Sequence, residues 1–308
     1  MRTFISCDWG GSTFRLRLID AGKKEISGAV LSDEGIAKTH EQWMATNQPE
    51  SERIGFYRRK LAGAVSQLPG NIEKNIPVVV SGMASSSIGL LELPYQKFPF
   101  TWDCSGFDIK KIESDENFQH TLYLVTGFKT DEDVIRGEET LLLGCDPGDD
   151  AEKVYIFPGT HSKHVFVKNK TGYDVRTYMT GEIFRLLTEE SILRYSVTRG
   201  VDSESFAQGF IRGIDDNLLH SVFMVRTRQL LQRANPVSNY QYLSGLLIGT
   251  ELRDLNGRDG PVYIVCNELI KPAYLAGLKL MGSTSEIYYL NADEMFIKGH
   301  CKIADYYL

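Results

Sequence analysis

Thr3-Phe4-Ile5-Ser6-Cys7-Asp8-Trp9-Gly10-Gly11-Ser12-Thr13-Phe14-Arg15-Leu16-Arg17-Leu18-Ile19 opens as a strand, a tight turn and a second strand. Thr3 to Asp8 is rich in β-formers, Gly10-Gly11 breaks the run, and Thr13 to Ile19 alternates apolar with polar. A further turn at Ala21-Gly22-Lys23-Lys24 leads to a third strand, Glu25 to Leu31, so the segment is an antiparallel meander. A Walker loop or a Rossmann fingerprint needs a helix straight after its glycines. Here the glycines sit in a hairpin, which excludes both.

Working outward, Ile54, Tyr57, Leu61, Val65 and Leu68 recur at helical spacing, with Ser51 as the expected N-cap. Ile76-Pro77-Val78-Val79-Val80 is a short branched run ending at Ser81-Gly82, the pattern of a parallel strand buried on both faces. Residues 95–120 are irregular and aromatic-rich, and Leu122 to Thr126 reads as another strand. The grammar then returns. Val154 to Phe157 is a strand, Pro158 to Ser162 a turn, His164 to Val167 a strand and Val175 to Met179 a third. Helices are expected over 181–195, 203–212, 216–233, 238–255 and 270–281, strands over Val262 to Cys266 and Glu286 to Leu290, and a helical tail. Two halves that each open on a glycine-punctuated hairpin imply an internal duplication. The expected division is 1–130 and 131–308, at the polar run Lys129-Thr130-Asp131-Glu132-Asp133.

The 308 residues carry 34 Lys+Arg against 40 Asp+Glu, a formal charge of −6, which argues against a nucleic-acid-binding or basic membrane-docking surface. Hydrophobic content of 42% and charged content of 24% are ordinary for a globular chain. No apolar run reaches the roughly 20 residues a bilayer span requires, and the N-terminus lacks a signal peptide's apolar stretch. Five scattered cysteines form no CxxC pair, so reduced thiols and a cytoplasmic location are expected.

Several segments carry chemistry. Asp8 ends a strand and could anchor Mg²⁺, while Gly10 and Gly11, with Ser12 and Thr13, let backbone N–H groups approach phosphate oxygens; an Asp-capped turn is the plain alternative. Pro158-Gly159-Thr160-His161-Ser162-Lys163 repeats the theme with a cation. His161 and His164 lack further ligands nearby and, three apart in an extended segment, point to opposite faces, so a metal pair is not expected. Arg136-Gly137-Glu138-Glu139-Thr140 precedes an apolar run; its acids fit either a charged helix start or a general base. Ser81-Gly82-Met83-Ala84-Ser85-Ser86-Ser87 lies past a buried strand's C-terminal end, where α/β sheets bind ligands. Val262 to Glu268 runs from strand to helix, an arrangement suited to a nucleotide's adenosine end.

Together these segments resemble the actin/hexokinase/Hsp70 ATPase superfamily, and more closely the 2-dehydro-3-deoxygalactonokinase family. Besides those quoted, matching stretches are Glu92-Leu93-Pro94-Tyr95, Asp133 to Arg136, Met179-Thr180-Gly181-Glu182, Ser191-Ile192-Leu193 and Tyr242 to Gly249. The resemblance implies an α/β chain of two ribonuclease-H-like domains (the actin-like ATPase fold) around a nucleotide cleft. It implies ATP and Mg²⁺ as cofactors and phosphorylation of 2-dehydro-3-deoxy-D-galactonate, or a related keto-deoxy acid, at the 6-hydroxyl. A catalytically weak regulator on the same scaffold is the alternative of another class. By the resemblance Glu138 is the base with Glu139 in reserve, and Asp8 the metal anchor. Gly10, Gly11, Ser12, Thr13, Gly159, Thr160 and Lys163 bind phosphate, and Asn267 and Glu268 adenosine. Arg15, Gly82, Met83, Ser85 and Ser86 face the sugar acid. A homodimer is the one macromolecular partnership left open. The chain departs from the family pattern at Ser87 and Ile88, where Arg and Gln are usual, at His164, and at Cys266-Asn267.

Overall fold

The computed structural model describes residues 3–70, 72–282 and 286–308. The chain divides into two compact units. The first takes in the chain up to Asp149, together with Lys170–Val175 and Ala292–Leu308; the second is Asp150–Asn169 and Arg176–Asn291. The second unit therefore starts later than the expected boundary at 130/131, and the C-terminal helix returns to the first. The reason is local: the polar run at Lys129–Asp133 forms a turn between two short strands, closed by Thr130 N–H donating to Asp133 O at 2.9 Å.

In the first unit, β1 (Thr3–Trp9), β2 (Phe14–Asp20) and β3 (Glu25–Ser32) form the meander read from the opening stretch. Helices α1 (Ile36–Ala45) and α2 (Arg53–Val65) follow, then β4 (Val78–Gly82). Helix α1 was not anticipated. Helix α2 is preceded by a 3₁₀ turn at Glu50–Glu52, so Glu52 and not Ser51 is its N-cap. Every residue of β4 is buried, between parallel neighbours β1 and β8 (Leu122–Val125), which is why its pattern is continuous rather than alternating.

The short strands β5 (Gln96–Lys97), β6 (Phe100–Thr101), β7 (Ile109–Ile112), β9 (Phe128–Lys129) and β10 (Val134–Ile135) surround these, followed by α3 (Glu138–Gly144). The main sheet runs β3-β2-β1-β4-β8-β7. Its core joins Trp9, Leu16, Tyr57, Leu61, Val80 and Leu124.

The second unit repeats the arrangement. Strands β11 (Lys153–Phe157) and β12 (Ser162–Lys168) form its hairpin, and β13 (Thr171–Tyr178), of which Arg176–Tyr178 belong to this unit, completes the meander. Helices α4 (Thr180–Glu189), α5 (Ser203–Asp215), α6 (Leu218–Gln232) and α7 (Pro236–Leu252) intervene before β14 (Val262–Cys266), α8 (Lys271–Leu280) and β15 (Ile287–Asn291). The strand order is β15-β14-β11-β12-β13, with β14 parallel to both β11 and β15. With the edge strands β7 and β6 set aside, both sheets read third, second, first, fourth, fifth from the meander, which is the ribonuclease-H-like order, occurring twice. The last helix, α9 (Ala292–Tyr307), packs on α3 in the first unit, where Gly144 and Gly299 bring the two backbones together.

The most tightly specified contact in the second unit is α5 against α7. Gly209 and Gly213 on α5 face Gly245 and Gly249 on α7, and a Cβ at these positions would meet opposing carbonyl oxygens at 2.0, 2.1, 2.0 and 2.3 Å respectively. The Ser244-Gly245-Leu246-Leu247-Ile248-Gly249 stretch is thus a small-residue stripe that admits the other helix's main chain. All five cysteines are free and buried, and among the described residues no helix is long and apolar enough to cross a membrane. Gly245→Ala forces the helices apart, and overpacking of this kind costs about 1–3 kcal/mol. Urea unfolding of the variant is expected to show that loss with no fall in m-value.

Candidate active site

In the first unit the hairpin between β1 and β2 is held by the start of α1. Ile36 N–H donates to Gly10 O at 2.9 Å and Ala37 N–H to Gly11 O at 3.0 Å. Gly35 makes this approach feasible, since a Cβ there would lie 2.5 Å from Gly11 O. The loop's carbonyls are thereby spent on the helix, and Gly11 and Ser12 stand exposed with open space beside Gly11.

Asp8 sits directly opposite Arg15 on β2 and beside Ser81 on β4. Arg15 Nη1 donates to Asp8 Oδ2 at 2.6 Å; the Asp8 side chain is 16% exposed and that of Arg15 38%. Burial raises the Asp8 carboxyl, against the lowering charge of Arg15.

The strand next to Asp8 ends in Gly82 at φ +92°, where a Cβ would lie 2.7 Å from Trp9 O, so only glycine fits. Gly137, at φ +108°, stacks against it, with its Cβ position 3.4 Å from Gly82 Cα. These two glycines bring the 81–86 turn and the start of α3 together, and with them the two acids. Glu138 is partly exposed and its Oε2 accepts from Arg136 N–H at 2.9 Å. Glu139 is fully buried, accepting from Gly137 N–H at 2.6 Å. Burial, and next the charge of Glu138, push its carboxyl up to about 8. Arg136 stacks over the Tyr95 ring at 4.1 Å and donates to Tyr95 Oη at 3.1 Å and to Ser85 O and Oγ at 2.5 Å each. Ser86 Oγ donates to Met83 O at 2.7 Å. Asp8, Arg15, Gly82, Met83, Ser85, Ser86 and Glu138 thus all belong to the first unit, on β1, β2, the end of β4 and the start of α3.

A buried hydrogen-bonded chain runs beneath. Ser6 Oγ meets His300 Nδ1 at 2.8 Å, His300 Nε2 meets Ser81 Oγ at 2.9 Å, and Ser81 Oγ meets Thr140 Oγ1 at 2.7 Å. Burial, assisted by Arg17, lowers His300 to about 3, so the ring is neutral. These members link β1, α9, β4 and α3. His300 lies 294 positions from Ser6, and only its place on the apolar face Phe296-His300-Ile303 hints at it in the sequence.

The second unit holds the other hairpin in the same manner. Glu182 N–H of α4 donates to Thr160 O at 2.9 Å, and a Cβ at Gly181 would lie 2.4 Å from Gly159 O. His161 pairs with Glu182 at 2.5 Å. Lys163 is 7% exposed and forms no ion pair among the described residues. At the strand-to-helix turn Asn267 Oδ1 accepts from Leu269 and Ile270 N–H at 3.1 Å, closing the turn ahead of α8, and Glu268 pairs with Lys271 at 3.1 Å. Glu251 of α7, unforeseen from the sequence, is 2% exposed. Its Oε1 accepts from Ser162 Oγ at 2.7 Å and His164 Nε2 at 3.0 Å, its Oε2 from Thr180 Oγ1 at 2.5 Å and Tyr274 Oη at 2.8 Å. The signal was a lone acid in the apolar run Leu246 to Leu252.

The family model described as DGOK, 2-keto-3-deoxy-galactonokinase, matches residues 8–303. The chain is 29% identical to the 2-dehydro-3-deoxygalactonokinase of Escherichia coli (strain K12) over 219 residues, 68% of this chain and 73% of that protein. It is also 29% identical to a protein of Rhizobium meliloti (strain 1021) named as a probable 2-dehydro-3-deoxygalactonokinase, over 85% of this chain and 83% of that one. A crystal structure from Sinorhizobium meliloti, titled as the same kind of kinase, superposes with a TM-score of 0.83 at 25% identity, covering 99% of this chain and 97% of that one. The chain belongs to the 2-keto-3-deoxy-galactonokinase family, a family of carbohydrate kinases.

Proposed function

We propose that the chain transfers the terminal phosphoryl group of ATP to the 6-hydroxyl of 2-dehydro-3-deoxy-D-galactonate, a step of galactonate catabolism. The observation that carries the reading is the acid pair at the start of α3, beside the Gly82 turn. One acid is accessible and the other is sealed and protonated at neutral pH. A general base must be ionised and within reach of the hydroxyl it deprotonates. Of the pair, Glu138 is the one open to a substrate hydroxyl, and Glu139 is sealed with its carboxyl pushed up by burial.

In this mechanism Glu138 takes the proton as the hydroxyl oxygen forms its bond to phosphorus and the bond to the ADP oxygen breaks. Backbone N–H groups of Gly11, Ser12 and Thr13, with Gly10 permitting the approach, and Gly159, Thr160 and Lys163 hold the phosphates. The capture of Gly10, Gly11 and Thr160 carbonyls by α1 and α4 supports this, since it turns carbonyl dipoles away from an anion. Asn267 and Glu268 line the adenosine end through the main chain, their side chains being occupied by the turn before α8 and by Lys271.

Gly82, Met83, Ser85 and Ser86 form the turn under the sugar acid, and Arg15 meets its carboxylate. Arg15 suits that role because its side chain, paired with Asp8 through Nη1, is still 38% exposed, whereas the neighbouring arginines are buried or fully engaged. Arg17 is 5% exposed and bound to Asp293, and Arg136 is bound to Ser85 and Tyr95. Mg²⁺ binds through one or two carboxylates plus water and phosphate rather than a protein cage. Asp8 fits such a site: its Oδ1 has no partner among the described residues, while no cluster of three or more acids, histidines or cysteines occurs among them. When bound there, the ion neutralises charge on the phosphate oxygens. The same reading places the chain in the cytoplasm, in keeping with its free cysteines.

Three outcomes are expected. ADP release in the presence of Mg²⁺ and ATP is strong with 2-dehydro-3-deoxy-galactonate and weak with its gluconate epimer, galactonate or plain sugars; turnover of another acid alone would change the substrate. Glu138→Gln lowers kcat by roughly 10²–10⁴-fold with ATP binding intact, the usual worth of a general base. Near-wild-type kcat would remove Glu138 from that role. The third concerns Glu139, which keeps its proton to about 8 when folded against an ordinary value of 4.5, so the folded state binds more protons between those limits. Stability is therefore lost as pH rises through that window. The Glu139→Gln variant lacks this slope, and urea unfolding at pH 5 and pH 8 should show it gaining on the wild type at the higher pH.

A further inference from the structure

Glu251 is a buried carboxylate that the phosphoryl-transfer chemistry does not use. A carboxylate offers about four lone-pair sites, and all four are filled by side-chain donors: Ser162 and His164 on Oε1, Thr180 and Tyr274 on Oε2. Those donors come from three elements, β12, α4 and α8, and the acid itself from a fourth, α7. Two of them, Ser162 and His164, flank Lys163 on β12. Side chains on a strand alternate between faces. Fixing Ser162 and His164 on the Glu251 side therefore turns Lys163 to the other face, where it has no ion partner among the described residues. Thr180 begins α4, whose next two residues clamp the hairpin: Gly181 lies against Gly159 O, and Glu182 N–H bonds Thr160 O.

We infer that Glu251 is a positioning residue for the nucleotide: through Ser162, His164 and Thr180 it sets the hairpin and the outward face of Lys163 for the phosphate chain of ATP. The inference rests on the ATP-dependent kinase reading. Glutamine at this position offers one acceptor and one donor group in place of two acceptors, so two of the four donors face an N–H group instead of an oxygen.

The test is titration calorimetry of MgATP binding without sugar, combined with steady-state kinetics, on wild type, Glu251→Gln, Thr180→Val, Lys163→Ala and the Glu251→Gln/Lys163→Ala double variant. Misplacing a binding group by about 1 Å can cost up to 10²-fold; Glu251→Gln is expected to weaken MgATP binding roughly tenfold or more, with the sugar-acid KM unchanged. Thr180→Val should weaken it by roughly threefold. The double variant should lose less than the two single losses combined, because part of the Glu251 effect passes through Lys163; fully additive losses would mean a general structural role and overturn the inference.

Should circular dichroism show Glu251→Gln unfolded, Thr180→Val, combined with Lys163→Ala in the same cycle, decides the matter. Folded variants that bind MgATP as tightly as wild type overturn the inference and leave the kinase reading standing. A wild-type chain that binds no MgATP removes the kinase reading itself.

Discussion

The first residues of a helix have main-chain N–H groups with no partner inside the helix, and a tight hairpin turn has carbonyls with none in the sheet. This protein resolves both with one contact, made twice. Ile36 and Ala37 of α1 bond the carbonyls of Gly10 and Gly11, and Glu182 of α4 bonds that of Thr160. In each case a glycine on the helix side, Gly35 or Gly181, is what lets the backbones approach. Much else is arranged around this contact. The carbonyls of Gly10, Gly11 and Thr160 are occupied by the helices, which turns acceptor dipoles away from a concavity of main-chain N–H groups, the arrangement that receives an anion. The glycine hairpins are therefore anchored loops, and their small residues serve the anchor as well as the ligand.

Two buried glutamates show how the same side chain is set to opposite states. Glu139 has one main-chain donor at 2.6 Å and a second acid, Glu138, next to it; burial and that charge together push it up to about 8. Glu251 is nearly as deeply buried, yet against that desolvation its hydrogen bonds from His164, Thr180 and Ser162 lower it. Hydrogen bonds to the charged form outweigh desolvation in one case, and desolvation wins where they are few. Each state suits its place. Burial holds the proton on Glu139 beneath the accessible Glu138, and Glu251, held down by its donors, gathers strands and helices around the second hairpin.

Local patterns in the chain carried most of the fold. The β1–β2–β3 meander, the branched run of β4 and the helical periods of α5 to α8 are all set by neighbours within a few residues, and each was legible from its own segment. Both glycine hairpins and the Glu138-Glu139 pair were legible for the same reason. The features that were not legible depend on long loops of chain. Ser6 and His300 meet across 294 positions, and Glu251 meets Ser162 across 89. No periodicity encodes such encounters; only the presence of an acid or a histidine on an otherwise apolar helical face marks them. The division at 130/131 was misplaced because a polar run marks exposure, and an exposed turn between short strands has the same composition as a linker. The missed α1 and the shifted cap of α2 are boundary effects of a 3₁₀ turn and of a helix start that takes its acceptors from a distant hairpin rather than from its own cap.

The two hairpins share a frame and differ in charge, and the strand register explains how. In the first, Arg15 lies directly across from Asp8, so the cation is neutralised by an acid on the facing strand and the acid retains one free oxygen. In the second, Lys163 lies across from Phe157, and among the described residues no acid pairs with it. A duplicated meander with the same strand order thus delivers one turn that carries a carboxylate and another that carries an uncompensated cation. A triphosphate bound with a divalent ion presents both needs at once: oxygens that seek a cation, and a metal that seeks a carboxylate. Divergence at a single cross-strand pair, acid–arginine in one unit and aromatic–lysine in the other, gives two copies of one meander turns of unlike charge.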